Sequence, residues 1–519
     1  MSKCRVAVLA ALFLFLTAFS AAAQDVTLTS HDGDVEIEGT LLGFDGEFYR
    51  VETIYGEITV DASGVVCQGP GCPNLEAFVA RLRVSGSATM GEVLMPALIE
   101  AFALRNGLTA RREQDAPTRF TYVLADKTSG EEKARFSFHN TTTDEGFSDL
   151  LADESDIVMS LREVRPSELR RARELGLGDL TGPNRSRVLA LDALVPVVSA
   201  RNPLRAISTD DLAKVFGGKI TNWSQLGGLD APILLHLRTP QSGLTQTTED
   251  KLLAPARLSL SLGVTEHATN QDLVRAVARN PIGIGIASQS NLGNTRPLVL
   301  TGSCGFSLRA ARRAIKTKDY PLTAPMFLYL PARRLPKLAR DFLTFTRSDS
   351  AQIVIRRAGF VDQSPEEVTI NDQGDRFANA ITAAGSEVPL SELKRLVTRL
   401  GNMRRLTTSF RFRPGSARLD AQSTSNVQQL ARALEAGKYD QRELLFIGFS
   451  DGQGPAAANR TIAAKRAEAV REAVQQAAET ANFDKVTIGT EAFGEALPMA
   501  CDDTAWGRQV NRRVEVWVR

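Results

Sequence analysis

Histidine is scarce in this chain of 519 residues, and aromatic residues make up only 6% of it. The four histidines are His31, His139, His236 and His267. They are scattered, with no two at the spacing of metal ligands, so the sequence predicts no metal centre. The H-E-x-x-H and G-x-x-x-x-G-K-[ST] motifs are also missing, and we expect neither an enzyme nor a cofactor. The net charge of +2 gives no field that would recruit nucleic acid.

Long apolar runs are missing except at the N-terminus. Residues 1–23 combine Lys3 and Arg5 with an apolar run that starts at Val6, and three alanines follow as a cleavage site. This pattern is typical of a secretory signal peptide, and Cys4 precedes the run, so no lipobox cysteine remains. No later stretch reaches the roughly 18 apolar residues that cross a bilayer. We therefore expect an exported, soluble chain.

Cysteine is also rare, and four of the five cysteines lie beyond residue 23. Cys67 and Cys72 enclose only Gln-Gly-Pro-Gly, and this flexible turn predicts a local disulfide in an oxidising compartment. Cys304 and Cys501 either pair across domains or stay free, because sequence cannot choose between these states. Around the first pair, residues 25–73 alternate apolar and polar residues between glycine turns, which predicts a small β module.

Residues 80–362 alternate strand-like and helix-like patterns. LRVSGSATM and ILLHLRTPQSGLT each read as a strand, a Ser-Gly turn and the start of a helix, and PIGIGIAS is a glycine-spaced strand. Such alternation predicts α/β lobes with largely parallel sheets. At roughly 100–200 residues per domain, the full chain has room for about three domains.

Five motifs in this region occur in the order SGSAT, DIVMSLR, ALDALVPVVSARNP, ISTDDLAKVFGGKITNWSQLGG and LRTPQSGLT. They resemble the substrate-binding protein of phosphate ABC transporters, and the run from Ile207 to Gly228 is the most specific part. The resemblance covers most of residues 82–362. It implies a two-lobed periplasmic binding protein (Venus flytrap) domain whose lobes close over phosphate or a related oxyanion.

The resemblance also implies which residues hold the anion. A buried oxyanion needs many hydrogen-bond donors, and hydroxyls and backbone N–H groups at helix N-termini supply them. Arg238 would add a bidentate fork, and Arg162 adds a positive charge nearby. The remaining positions that match the family's phosphate contacts are Ser85, Ser87, Thr89, Ser160, Ser242 and Gly243.

Three departures from the family pattern affect the ligand. Family members place carboxylates to accept the proton of phosphate, but Leu161 and Pro240 occupy those positions here. Leu244 replaces a small hydroxyl residue. These changes leave a sulfate-like anion, a larger phosphorylated ligand or no ligand as alternatives.

The C-terminal stretch contains GFSDGQGPAAANRTIAAKRAEAV and ends with NRRVEVWV. This order resembles the OmpA-like peptidoglycan-binding domain and implies an α/β sandwich over residues 402–519. In that family the residues matching Asp451 and Arg466 hold the diaminopimelate of the peptide stem, since its amino group needs a carboxylate and its carboxylate needs an arginine. Asn459 would shape the loop, and Arg512 of the closing arginine pair would line the pocket.

Between these domains, residues 363–401 contain leucines and a valine at helical spacing, which predicts a packed helical linker. Taken together, the sequence predicts a periplasmic solute-binding protein of a Gram-negative bacterium, held non-covalently on peptidoglycan. The alternative is a cell-envelope scaffold or signalling protein, in which a degenerate flytrap domain binds an envelope protein partner.

Overall fold

The structure is a computed structural model that describes residues 25–75, 77–182, 184–385, 387–413, 416 and 418–519. The signal peptide predicted at 1–23 lies outside these residues. No helix within the described ranges is long and apolar enough to cross a membrane.

The N-terminal module is one antiparallel sheet in the order β4-β3-β2-β1-β5. Its core holds Val26, Leu28, Tyr49 and Val51, and the structure joins Cys67 to Cys72 by a disulfide. Its strands are β1 (Val26–Ser30), β2 (Glu36–Phe44), β3 (Phe48–Thr53), β4 (Gly56–Asp61) and β5 (Val65–Gln68).

The central domain contains an eleven-stranded sheet in the order β14-β13-β15-β11-β19-β10-β6-β9-β8-β7, with β16 paired to β11. The sheet is mixed rather than largely parallel, since β7, β8 and β9 are antiparallel neighbours. A separate three-stranded sheet has the order β12-β17-β18. The strands are β6 (Ala80–Ser87), β7 (Leu108–Ala116), β8 (Arg119–Asp126), β9 (Glu132–Thr141), β10 (Ile157–Ser160), β11 (Ser186–Val198), β12 (Ala206–Ser208), β13 (Leu234–Arg238), β14 (Val264–His267), β15 (Gly283–Ser288), β16 (Arg296–Pro297), β17 (Val299–Thr301), β18 (Ser307–Leu308) and β19 (Thr323–Tyr329).

The central domain has two lobes around two hydrophobic clusters, one of which contains residues of both lobes, such as Val158 and Ile284. The first lobe is built on β6–β10 and the second on β12–β18, while β11 and β19 pass through both. The helices are α1 (Met95–Arg105), α2 (Thr143–Leu151), α3 (Pro166–Glu174), α4 (Thr209–Phe216), α5 (Gly243–Thr248), α6 (Asn270–Arg279), α7 (Arg312–Lys316), α8 (Lys337–Phe345) and α9 (Asp349–Arg357).

The C-terminal domain is a five-stranded sheet in the order β20-β21-β24-β22-β23. Helices α12 and α13 cover one face, and α11, from the segment predicted as a linker, packs Leu393, Leu396 and Leu400 on the other. The elements are β20 (Glu367–Val368), α10 (Gly374–Ala383), α11 (Leu390–Leu400), β21 (Arg404–Arg411), α12 (Ala421–Glu435), β22 (Glu443–Phe449), α13 (Ala456–Ala477), β23 (Thr487–Gly494), α14 (Ala505–Asn511) and β24 (Arg513–Val518).

The C-terminal domain is bonded to the second lobe. A disulfide joins Cys304 to Cys501, a pairing that the sequence left open. Below it, the carboxylate of Asp319 is buried between two arginines of β21, 2.8 Å from Arg405 and 3.0 Å from Arg411. Because a buried charge is stable only with its partners, these ion pairs hold the two domains in one arrangement.

The C-terminal domain also reaches the first lobe. Arg413, just after β21, lies 3.8 Å from Glu163, which follows β10. The start of α12 packs near β11, and the Ser425 hydroxyl lies 3.5 Å from the Gln363 side chain. The same domain therefore contacts both lobes of the central domain.

Candidate functional site

The hydroxyls predicted to bind an anion lie where β6 enters the turn before α1. Gly86 has a φ of +121°, and an added Cβ there would lie 2.3 Å from the Met159 carbonyl oxygen, so only glycine fits this turn. The Ser85 hydroxyl donates to Asp149, whose same oxygen lies 2.9 Å from Nδ1 of His139. Ser87 and Thr89 make no side-chain hydrogen bond to any residue of the described ranges. The hydroxyls of Ser87 and Thr89 are therefore available to donate hydrogen bonds to a ligand.

Arg162 is engaged by carboxylates of the protein itself. Its guanidinium is buried and binds Glu168 at 2.6 Å and also Asp144, while Nε donates to Gln246 at 2.9 Å. Gln246 belongs to the second lobe, so the network bridges the two lobes. The Ser160 hydroxyl is also used internally, since it donates to the Arg162 carbonyl oxygen at 2.7 Å. Two carboxylates neutralise the charge that the sequence assigned to anion attraction.

The second lobe contributes Arg238 at the end of β13 and Ser242 at the start of α5. Arg238 is half-buried and donates to the carbonyl oxygens of His267 and Ala268, at 3.3 and 2.6 Å. The Ser242 hydroxyl caps α5 by accepting from the Leu244 N–H at 3.3 Å. Arg238 thus forms no ion pair within 4.0 Å among the described residues, although the more distant carboxylates of Glu92 and Asp272 act on its charge.

The cleft between the lobes is nearly filled. An added Cβ on Gly243 would lie 2.6 Å from the Thr143 hydroxyl and 2.9 Å from Cβ of Leu161, so the lobes touch. The remaining cavity is about 10 Å³ and is lined by Thr89, Leu161, Leu244 and Asp192, among others. That is roughly the room for one water molecule. Burial raises the pKa of Asp192 to about 6.

Two histidines that are distant in sequence meet beside Arg238. Nδ1 of His236 lies 3.0 Å from Nε2 of His267, because β13 and β14 are parallel neighbours. Burial lowers the pKa of both, and that of His236 falls to about 4. No third His, Cys, Asp or Glu among the described residues completes a metal site with them.

The C-terminal site is formed by the loop after β22 and by α13. An added Cβ on Gly448 would lie 1.9 Å from the Ala463 carbonyl oxygen, so glycine lets strand and helix approach closely. Asp451 is buried and accepts from Nη1 of Arg512 at 2.5 Å. Arg466 is half-buried, stacks 5.4 Å from the Phe412 ring centroid and makes no hydrogen bond or ion pair with a described residue. Its pKa is lowered, first by burial and then by Arg512.

Two carboxylates that the sequence analysis missed complete this site. Asn459 donates to Glu495 at 2.7 Å, and Asp502 accepts from the Gly452 N–H at 2.6 Å. Burial, together with the neighbouring acids, raises the pKa of both carboxyl groups. The site therefore presents an unengaged arginine beside a group of acids, an arrangement that suits a ligand with both an amino group and a carboxylate.

The loop also contains a G-x-S-x-G pattern at Gly448–Gly452, which in other folds marks a nucleophilic serine. Here the Ser450 hydroxyl is buried without a hydrogen-bond partner among the described residues. No histidine follows His267 in the sequence, so the C-terminal domain has no histidine base for it. Arg513 is buried against Glu515 at 2.7 Å and has a packing role, which leaves Arg512 as the arginine at the site.

Comparisons with known proteins agree with this architecture. The family profile described as PBP superfamily domain matches residues 79–350, and that of the OmpA family matches residues 411–512. Protein SphX of Synechococcus elongatus is 27% identical over 46% of this chain and 75% of its own length. The phosphate-binding protein PstS of Bacillus subtilis is 29% identical over 35% of this chain and 60% of its own. The probable lipoprotein YiaD of Escherichia coli is 30% identical over 23% of this chain and 53% of its own.

Proposed function

Since this chain belongs to the PBP superfamily and also carries an OmpA family domain, we propose that it is an envelope protein held non-covalently on peptidoglycan. The observation that supports this proposal is the unengaged guanidinium of Arg466 beside Asp451 and Arg512. Diaminopimelate is a zwitterion at its free end. Arg466 suits its carboxylate. The ammonium group would share Asp451 with Arg512, which lies 2.5 Å from that carboxylate, and Asp502 is the second acid nearby.

The proposed compartment is the periplasm of a Gram-negative bacterium. Both disulfides, Cys67–Cys72 and Cys304–Cys501, require an oxidising compartment. The predicted signal peptide at 1–23 supplies the route, and peptidoglycan is the partner that an OmpA family domain would meet there.

The test is co-sedimentation of the mature protein with purified peptidoglycan sacculi. We expect Arg466→Ala and Asp451→Asn each to weaken binding by at least roughly tenfold, because each removes a charge-assisted hydrogen-bond partner. Lys465→Ala is the matched control. Lys465 is exposed and precedes Arg466 on the same helix, and its substitution also removes one positive charge. Equal binding by all four proteins would show that this pocket does not hold the wall.

We propose further that the central domain serves as a scaffold for another envelope protein rather than as a mobile anion receptor. The cleft has room for roughly one water molecule, and Arg162 is neutralised by Asp144 and Glu168. The C-terminal domain, bonded to the second lobe and in contact with the first, opposes the rigid-body opening that a flytrap needs.

A second candidate function is an oxyanion receptor. Ser87 and Thr89 keep hydroxyls that bind no described residue, and Arg238 forms no ion pair there, with Glu92 and Asp272 acting only from a greater distance. Relatives of the chain are named phosphate-binding proteins. In this function the cleft would have to open before an anion could enter.

Calorimetry of the mature protein with phosphate and with sulfate separates the two functions. If the central domain is a scaffold, we expect no saturable binding of phosphate or sulfate that depends on Arg238. Arg275→Ala, an exposed arginine of the same lobe, is the control for the loss of charge. Saturable phosphate binding that is abolished in Arg238→Ala and retained in Arg275→Ala would instead establish the receptor.

A further inference from the structure

A cavity of about 260 Å³ lies between the central domain and the C-terminal domain, away from the cleft and the peptidoglycan site. Its lining comes from segments that are remote in sequence, among them the start of β11, the residues that follow α8, and α12. Its size is close to the lower end, roughly 300 Å³, of pockets that hold small molecules.

Three arginines line this cavity without acid partners. Arg187, Arg347 and Arg432 form no ion pair with any carboxylate in the part of the chain that the structure describes. Arg187 donates from Nη1 to the Leu343 carbonyl oxygen at 3.3 Å, and its Nε is buried with no partner. Arg347 reaches only the Asn184 side chain, at 3.5 Å, and Arg432 donates to no described residue. These 3 guanidinium groups are therefore largely unsatisfied.

The three charges affect one another. The pKa of Arg347 falls to about 9, first because of burial and then because Arg187 and Arg432 repel its proton. Arg432 in turn contributes to the lowered pKa of Arg187. Gathering like charges away from water is unfavourable unless counter-ions accompany them.

Acidic groups near the cavity do not neutralise this cluster. Glu163 lies on the rim, but it is 3.8 Å from Arg413, a fourth arginine of the lining, and these two charges offset each other. Glu435 interacts weakly with Arg432 from the next turn of α12 and lies outside the cavity. The net charge facing the cavity is therefore positive.

We propose that this cavity binds a small anion carrying more than one phosphate group, such as a pyrophosphate or a phosphorylated metabolite. Arginine forks match phosphate oxygens bidentately, and three of them converge from both domains. Hydroxyls and amides of Thr424, Ser425 and Gln428 add neutral donors on the α12 side. The bound anion would link the two domains, because Arg187 and Arg347 belong to one and Arg432 to the other.

The experiment is isothermal calorimetry of the full mature protein with pyrophosphate and, separately, with inorganic phosphate at low ionic strength. We expect saturable pyrophosphate binding that is tighter than phosphate binding, and a loss of at least roughly tenfold in Arg347→Gln and in Arg432→Gln. Arg404→Gln, an exposed arginine of β21, is the matched control, and Arg238→Ala keeps the cleft out of the result.

Thermal unfolding provides a second readout. Without anion, Arg347→Gln should be at least as stable as the unmutated protein, because the substitution relieves repulsion. With pyrophosphate, only proteins with all three arginines should gain melting temperature. Absence of saturable pyrophosphate binding, or equal binding by Arg347→Gln and Arg432→Gln, would overturn the proposal. Binding abolished by Arg238→Ala would instead assign the anion to the cleft.

Discussion

The cleft of the central domain and the pocket of the C-terminal domain both contain arginines that the sequence assigned to ligand binding, but they use them differently. In the cleft, Arg162 is buried against Asp144 and Glu168 and joins the lobes. In the C-terminal pocket, Arg466 is half-buried and forms no ion pair within the described ranges. A charge already neutralised by the protein contributes to stability, whereas an unengaged charge remains available to a ligand.

The two regions also differ in the space and the partners around their predicted site residues. The serine turn and Arg238 are both present in the central domain, but Leu161 and Leu244 line the small cavity that remains between the lobes. In the C-terminal pocket, Asp451 of the loop binds the closing arginine Arg512, and its charge also acts on Arg466 of α13. Available volume and unpaired donors, rather than residue identity, distinguish the two regions.

The largest expected effect concerns the bond that couples these two regions. Cys304 and Cys501 are separated by 197 residues, so their disulfide strongly restricts the unfolded chain and should contribute up to about 5 kcal/mol to the free energy of unfolding. The Cys67–Cys72 disulfide spans only 5 residues and should contribute about 2 kcal/mol. Urea unfolding of Cys304→Ser/Cys501→Ser and of Cys67→Ser/Cys72→Ser measures both.

The control for this comparison is unfolding under reducing conditions, where the unmutated protein and the two double variants should converge in stability because none of them keeps a disulfide. If the Cys304→Ser/Cys501→Ser protein is no less stable than the Cys67→Ser/Cys72→Ser protein, the long-range bond does not hold the domains together. The ion pairs of Asp319 with Arg405 and Arg411 would then account for the contact between the domains.

A direct test of the comparison replaces each arginine by methionine. Arg162→Met should lower the free energy of unfolding by about 3–5 kcal/mol, because it leaves Glu168 and Asp144 without their buried partner. Arg466→Met should change it by less than about 1 kcal/mol, because no described partner is lost except the Phe412 ring. Equal losses in the two variants would remove the distinction between a neutralised and an available arginine.

Local patterns in the sequence predicted the parts of the fold that depend on neighbouring residues. The serine-glycine turn after β6 and the loop after β22 are encoded within a few residues, and both contain a glycine that no other residue could replace, Gly86 and Gly448. The linker helix was predicted from its spacing, but its buried face is Leu393, Leu396 and Leu400, while Leu390 and Val397 are exposed. The spacing of apolar residues predicted that a helix forms, but packing against the sheet determines which of its faces is buried.

Long-range pairings could not be predicted from the sequence. Arg162 meets Asp144 and Gln246 only after both lobes have folded, and no periodicity connects these positions. The arginines Arg187, Arg347 and Arg432 likewise come from three distant segments. The residue types in a motif therefore do not show which charges the folded protein neutralises.

A pH-dependent effect concerns the acid inside the cleft. Burial raises the pKa of Asp192 to about 6 from an ordinary value of 3.8, so the native state keeps this proton over a pH range where the unfolded chain has lost it. Between pH 4 and 6 the native state binds more protons than the unfolded state. The contribution of Asp192 to stability is therefore present below pH 4 and falls by about 3 kcal/mol as the pH rises to 6.

His236 acts in the opposite direction over the same range, because burial lowers its pKa from 6.5 to about 4 and stability then rises with pH. The measurement is therefore the difference in free energy of unfolding between the unmutated protein and Asp192→Asn, taken at several pH values from 4 to 7. We expect the unmutated protein to lose stability relative to Asp192→Asn across this range, and a difference that does not vary with pH would show that Asp192 is already ionised in a wetter cleft. A solvated cleft would admit an anion more readily, so this result would favour the receptor over the scaffold.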